Sequence, residues 1–141
     1  MARREVRRWI AASPKSVFET LESHALSFAW LGETARGAAT CARRACVGAT
    51  ATCPLRRGAC WLCVTAIDPA RLLALDVAHG SQTMRVRFSI EPQGSGTLLV
   101  CTTEYRGPET APMPPMVSRI YSAFGRVPGE VKQLVEARQQ P

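Results

Sequence analysis

The sequence predicts an α+β fold, an antiparallel sheet with helices packed on one face, and three observations carry that reading. Met84, Val86, Phe88 and Ile90 alternate with Arg85, Arg87, Ser89 and Glu91, the period of a strand with one wet face. Pro92-Gln93-Gly94-Ser95-Gly96 suits neither strand nor helix, and Leu99, Cys101, Thr103 and Tyr105 mark a strand returning from it, so residues 84–105 read as a hairpin. Strand-period segments elsewhere are joined by short turns, which implies a meander, and helical patterns stand near its two ends.

Taken in order, residues 4–12 form the first strand. Ser13-Pro14 starts a helix, since serine caps free amides and proline is favoured at the first helical position. Val17, Phe18 and Leu21 give that helix its apolar stripe, and a second short helical stretch from His24 to Leu31 ends at Gly32. Thr34 to Cys53, rich in Ala, Thr, Cys and Val, reads as two strands. Arg57-Gly58 is a turn, Cys60 to Ile67 a strand, Asp68-Pro69 a turn, Leu72 to Val77 a strand, and His79-Gly80-Ser81 leads into the hairpin. Gly107-Pro108 ends the strand pattern, and Pro112, Pro114 and Pro115 make a loop. Met116, Ile120 and Phe124, beside Val117 and Tyr121, make a helical face that Pro128-Gly129 interrupts before Val131, Leu134 and Val135 resume it.

At 141 residues the default is one domain, residues 1–141, able to bury roughly 65–70% of its unfolded surface. A hydrophobic fraction of 46% and a charged fraction of 21% exclude general disorder, and no apolar run reaches the ~18 residues of a membrane span. Lysine and arginine number 18 against 11 acids, a net +7, which attracts anions. The basic residues are scattered apart from Arg3, Arg4, Arg7 and Arg8, which argues against nucleic acid as the partner. Six cysteines and the lack of an N-terminal apolar segment fit free thiols in a reducing cytoplasm.

An opening strand running into Ala12-Ser13-Pro14 and Val17-Phe18-Glu19-Thr20-Leu21 resembles the START-like, or SRPBCC, superfamily, which includes pollen-allergen-like and polyketide cyclase/dehydrase-like proteins. The resemblance continues through Val47-Gly48, Trp61, the turn Ile67-Asp68-Pro69-Ala70-Arg71-Leu72-Leu73 and the hairpin Ile90-Glu91-Pro92-Gln93-Gly94-Ser95-Gly96-Thr97. It implies a helix-grip fold: a curved antiparallel sheet wrapped around a long C-terminal helix, with two short helices after the first strand and a ligand pocket between. Five prolines in the loop and helix region before Glu130, residues 108–128, depart from that pattern and leave the gripping helix broken or short. The resemblance implies no catalytic residue, because the superfamily shares no catalytic motif.

The residues themselves offer little chemistry. Cys60-Trp61-Leu62-Cys63 has the spacing of redox and zinc sites, but on a strand residues three apart face opposite ways and cannot share a metal or a disulfide. Inert buried cysteine is the reading adopted, and no metal or cofactor is called for. His79, at a strand end, can act as a general base or be a solvated turn residue; His24 reads as surface or packing. No nucleophile elbow or phosphate loop is present. Tyr105 and Tyr121 can each donate a hydrogen bond to a carbonyl or enolate, or be satisfied within the core. Arg119 either meets an acidic ligand or is solvated.

Parity assigns Leu73, Leu75, Val86, Phe88, Leu99, Cys101, Thr103 and Tyr105 to one inward row facing a cavity, with Trp61 added. Met116, Ile120, Tyr121 and Phe124 on the C-terminal helix close it. The function this supports, with the resemblance, is a small-molecule enzyme of the cyclase/aromatase type acting on an apolar substrate. The alternative is a non-catalytic carrier or sensor of a hydrophobic small molecule.

Overall fold

The computed structural model describes residues 2–37, 45–107 and 111–138. The order is β1 (Ala2–Ile10), α1 (Pro14–Leu26), a 3-10 helix (Ala29–Thr34), β2 (Thr50–Pro54), β3 (Ala59–Asp68), β4 (Leu72–His79), β5 (Gln82–Gln93), β6 (Gly96–Tyr105) and α2 (Pro115–Arg138). The strands form one six-stranded antiparallel sheet in the order β1-β6-β5-β4-β3-β2. Chain neighbours pair throughout except that β1 docks beside β6, because the β1–β2 connection carries α1 instead of a tight turn. α2 lies against β1, β6 and β5, and α1 against β5, β6 and α2, so both helices cover one face. No described helix is long and apolar enough to cross a membrane.

Local chemistry sets each boundary. Ser13 caps α1: the Ser16 N–H donates to Ser13 Oγ at 3.2 Å, with Pro14 in the first turn. α1 runs two residues past His24 to Leu26 and stops where Phe28 takes a left-handed φ of 59°; the expected second helix is instead the 3-10 helix, broken at Gly32 (φ 55°, ψ −127°). Of the two strands expected between Thr34 and Cys53, β2 is seen; residues 38–44 of that stretch lie outside the described residues. β5 continues through Pro92, which was expected in a turn. β4 ends its pairing at Leu72↔Ser89, so a proline three residues further on removes no bond on that side. Gly94 (φ 60°) then starts a two-residue turn, where a hairpin favours glycine.

The interruption expected at Pro128-Gly129 does not occur. α2 is one helix of 24 residues with Pro128 inside it and Pro115 at its start. Pro128 has no N–H for the carbonyl four residues back, that of Phe124, and an orphaned carbonyl here would be buried. The thiol of Cys101 on β6 takes the missing donor's place, Sγ to Phe124 O at 3.5 Å. Sheet and helix are thereby joined at the point where the helix would otherwise break.

This generates a double-mutant prediction. Cys101→Ala should cost roughly 1–3 kcal/mol in urea unfolding, combining the lost sulfur volume with the orphaned carbonyl. In a Pro128→Ala background, where residue 128 regains its N–H, the same change should cost about 0.5–1 kcal/mol less. Purely additive effects would mean that the thiol does not serve the Phe124 carbonyl.

Candidate functional site

Sheet register arranges the inner face in rows. Ile67, Leu73, Phe88, Cys101 and Val6 pair in sequence across β3, β4, β5, β6 and β1; one step along lie Leu75, Val86, Thr103 and Arg4, then Val77, Met84, Tyr105 and Ala2. The expected inward residues Leu73, Leu75, Val86, Phe88, Leu99, Cys101, Thr103 and Tyr105 therefore share one face, and all are buried. From α2, Ile120 and Phe124 point onto that face, while Met116 and Tyr121 sit partly buried at its margin.

Trp61 is a correction. Cys60, Leu62 and Val64 are the buried residues of β3, so Trp61 stands on the outer face, 56% exposed. The alternation of 60, 62 and 64 was the signal for this. It also places Cys60 inward and Cys63 on the outer side.

The inner face is filled. Leu73, Phe88, Leu99, Ile120 and Phe124 have 0% accessible surface, whereas a water-sized void against any of them would expose area on its wall. The filler is aromatic: Trp30, from the 3-10 helix, lies with its ring 4.1 Å from that of Phe124, which is 6.3 Å from Phe88. Trp30 Nε1 donates to Ala25 O at 3.0 Å, on the last turn of α1. Sequence reasoning missed Trp30; the apolar run Phe28-Ala29-Trp30-Leu31 before a glycine was the available sign.

Arg4 was missed as well. It projects from β1 opposite Thr103, and its Nη2 donates to the carbonyls of Tyr121 (2.8 Å) and Ser122 (3.3 Å). The guanidinium lies 4.9 Å from the Tyr121 ring centroid, a cation–π contact, and Gly125 leaves room for it, since a side chain there would displace the Arg4 guanidinium. Arg4 Nε is buried with no hydrogen-bond partner among the described residues. Close by, Cys101 Sγ lies 3.8 Å from Thr103 Oγ1, and Tyr105 OH donates to Gln82 Oε1 at 2.7 Å.

Burial pushes the Cys101 thiol up to about 12; the hydrogen bond to Thr103 and the charge of Arg4 oppose this and lose. Cys60 is also raised to about 12, by burial and then by its cross-strand neighbour Cys53. Both stay protonated at neutral pH, so Cys101 remains an S–H donor and neither is a nucleophile. Of the histidines, His79 Nε2 is 2.9 Å from the Arg57 carbonyl and ties two turns together, and His24 Nε2 is 3.0 Å from Glu130 Oε1, linking α1 to α2. Arg119 is exposed. Among the described residues no three His, Cys, Asp or Glu side chains group as a metal site.

Open volume lies elsewhere. A groove of about 590 Å³ between α1 and the β3–β4 turn is lined by Phe18, Ile67, Pro69 and Ala70, with Lys15, Glu19 and Glu22 at its rim. A second, of about 520 Å³, lies on the outer face among Arg3, Asp76, Arg85, Arg87 and Glu104. Its charges largely pair with one another, Arg3 with Glu104 at 3.5 Å and Arg85 with Asp76 at 4.0 Å, and it does not touch the aromatic cluster.

The five described cysteines are free thiols; Cys41, expected to be a sixth, lies outside the described residues. Iodoacetamide at pH 8 should label exposed Cys46 rapidly in the native protein, whereas Cys53, Cys60 and Cys101 should react only after unfolding. Peptide mass mapping reads the difference, and native-state labelling of Cys101 as fast as Cys46 would contradict the assignment.

No family model matches the sequence, and no curated protein matches it. Solved structures do match. Ara h 8.0201 aligns with a TM-score of 0.72 at 11% identity, over 96% of this chain and 98% of that one. The Aha1 protein of Colwellia psychrerythraea, solved as a dimer, aligns at 0.69 and 17% identity over 96% and 97% of the two chains. A point mutant of norcoclaurine synthase from Thalictrum flavum, in complex with a transition-state analogue, aligns at 0.66 and 13% identity over 99% and 96%. Likeness at these identities concerns the backbone. With its antiparallel sheet closed over α2, the chain has the helix-grip fold of the Bet v1-like, or SRPBCC, proteins, as the sequence resemblance implied.

Proposed function

We propose that this chain, acting as one ligand-binding domain, takes up a hydrophobic small molecule between the sheet and α2 and serves as its carrier or sensor. The observation that carries this reading is the chemistry of the inner face. Leu73, Leu75, Val86, Phe88, Leu99, Ile120 and Phe124 supply apolar surface, and the few polar atoms among them, on Cys101, Thr103 and Tyr105, are already hydrogen-bonded. Such a face recognises shape and apolar area more than charge. The helix-grip fold supports the same reading, and the free thiols support a reducing compartment such as the cytoplasm.

A second reading, an enzyme of the cyclase/aromatase type, is favoured by the convergence of Arg4, Thr103 and Tyr121 and by the buried Arg4 Nε, unpartnered among the described residues. That arrangement can stabilise a developing enolate oxygen by charge and hydrogen bonding. The norcoclaurine synthase structure is an instance of this fold holding a transition-state analogue. A structure of DynU16, from the dynemicin biosynthetic locus, aligns at 0.67 and 14% identity, this chain spanning 47% of that one.

Ile120→Ala, which removes bulk between α2 and the sheet, should raise the affinity for the apolar fluorophore N-phenyl-1-naphthylamine several-fold in a protein that still folds by circular dichroism. Arg87→Ala, on the outer face, should leave it unchanged. Equal affinities in the two variants would place the probe off the inner face and reject the proposal. Arg4→Lys distinguishes the two readings: probe binding should persist, while any enolate-forming turnover should be lost.

A further inference from the structure

Trp30 stands apart from the rest of the inner core. Of the two aromatic rings against Phe124, Phe88 belongs to a strand held by a backbone ladder, whereas Trp30 belongs to the short 3-10 helix, whose hydrogen-bond geometry is intrinsically poorer. The segment is bracketed two residues to either side by strained or special backbone. Phe28 is left-handed without being glycine (φ 59°, ψ 21°), and Gly32 adopts φ 55°, ψ −127°, a region all but closed to other residues. Between them the indole, 1% exposed, fills a slot defined by Phe124 at 4.1 Å, Phe28 at 5.8 Å and the Ala25 carbonyl, which accepts its Nε1–H at 3.0 Å.

The geometry points to a binding subsite that Trp30 occupies in the absence of ligand. We infer that the slot takes a planar fused-ring aromatic molecule bearing one hydrogen-bond donor, which stacks on Phe124, donates to the Ala25 carbonyl and displaces the indole. The inference rests on the reading that the grip takes an apolar small molecule, and adds its class and the point of entry. A ligand of this shape replaces both the stacking and the hydrogen bond that leave with Trp30, at a carbonyl that also accepts from the Phe28 N–H at 3.3 Å. The 3-10 helix swings about the bonds at 28 and 32, which relaxes Phe28 from its left-handed conformation.

Gly32→Ala isolates this mechanism. A methyl group at position 32 meets nothing within 4 Å, so the substitution leaves the slot untouched and acts only on the backbone conformation that seats Trp30. Because apparent affinity scales with the fraction of molecules already open, destabilising the seated form tightens binding.

The test uses 2-naphthol on protein carrying 5-fluorotryptophan, the three 19F resonances being assigned through Trp9→Phe and Trp61→Phe. Saturating 2-naphthol should move the Trp30 resonance to a solvent-exposed position and leave the other two in place. Gly32→Ala should bind about tenfold more tightly than wild type. Naphthalene, without the donor, should bind roughly three- to tenfold more weakly than 2-naphthol. Binding with an unmoved Trp30 resonance, or a folded Gly32→Ala protein that binds no tighter, would overturn the subsite. If N-phenyl-1-naphthylamine binds where 2-naphthol does not, the subsite falls and the apolar-ligand reading stands. If neither probe binds wild type, Gly32→Ala or Trp30→Ala, both fall.

Discussion

A carbonyl oxygen at the centre of the core organises the grip. Pro128 leaves Phe124 O without its helical donor at a depth water does not reach, and the Cys101 thiol supplies one from the sheet. A thiol is a weak donor, yet an unmade hydrogen bond costs more than a weak one contributes, so the pairing fixes both the rotation and the axial position of α2 over β6. Burial keeps the sulfur protonated and so keeps it a donor. With the helix set in this way, the Phe124 ring reaches Trp30 on one side and Phe88 on the other.

Polar ties from β1 hold the rest of α2. Arg4 donates to carbonyls of the first half of the helix, where Gly125 leaves room for it. Further along, Lys132 reaches the Trp9 carbonyl, and Glu136 accepts from the Ala11 N–H, a bond that, with Lys132, holds its carboxyl below the usual range. Exposed contacts of this kind add little stability, and their effect is positional. The thiol and β1 together make α2 the rigid wall of the grip.

Against that wall the 3-10 helix is the least secured part. The sheet is held by its ladders and α2 packs on it through residues with no accessible surface, whereas Trp30 is delivered by one short 3-10 helix between two unusual backbone conformations. A filled interior and a ligand-binding fold are compatible when the filler is a side chain on the least secured element. The apolar lining supports binding, and Arg4 is the place where charge could be added to it.

Much of the architecture was legible in the residues. Alternation on β5 and β6 determined which side chains face inward, because a strand has a period of two and one wet face, and Ser13-Pro14 marked the start of α1 by capping chemistry. The same arithmetic, applied to Cys60, Leu62 and Val64, would have turned Trp61 outward. Three things turn on contacts between distant parts of the chain. Pro128 breaks a helix in isolation, and it is tolerated here because a thiol 27 positions earlier in the chain meets the carbonyl it strands. Arg4 looks like a surface cation until Gly125, on another element, opens a space for it. Trp30 becomes the heart of the core only when α1, the sheet and α2 converge on one point. Sequence by itself determined period and punctuation, which are properties of neighbours along the chain. Tertiary structure decided which polar groups were satisfied and what filled the interior, since both depend on atoms brought together from distant strands and helices.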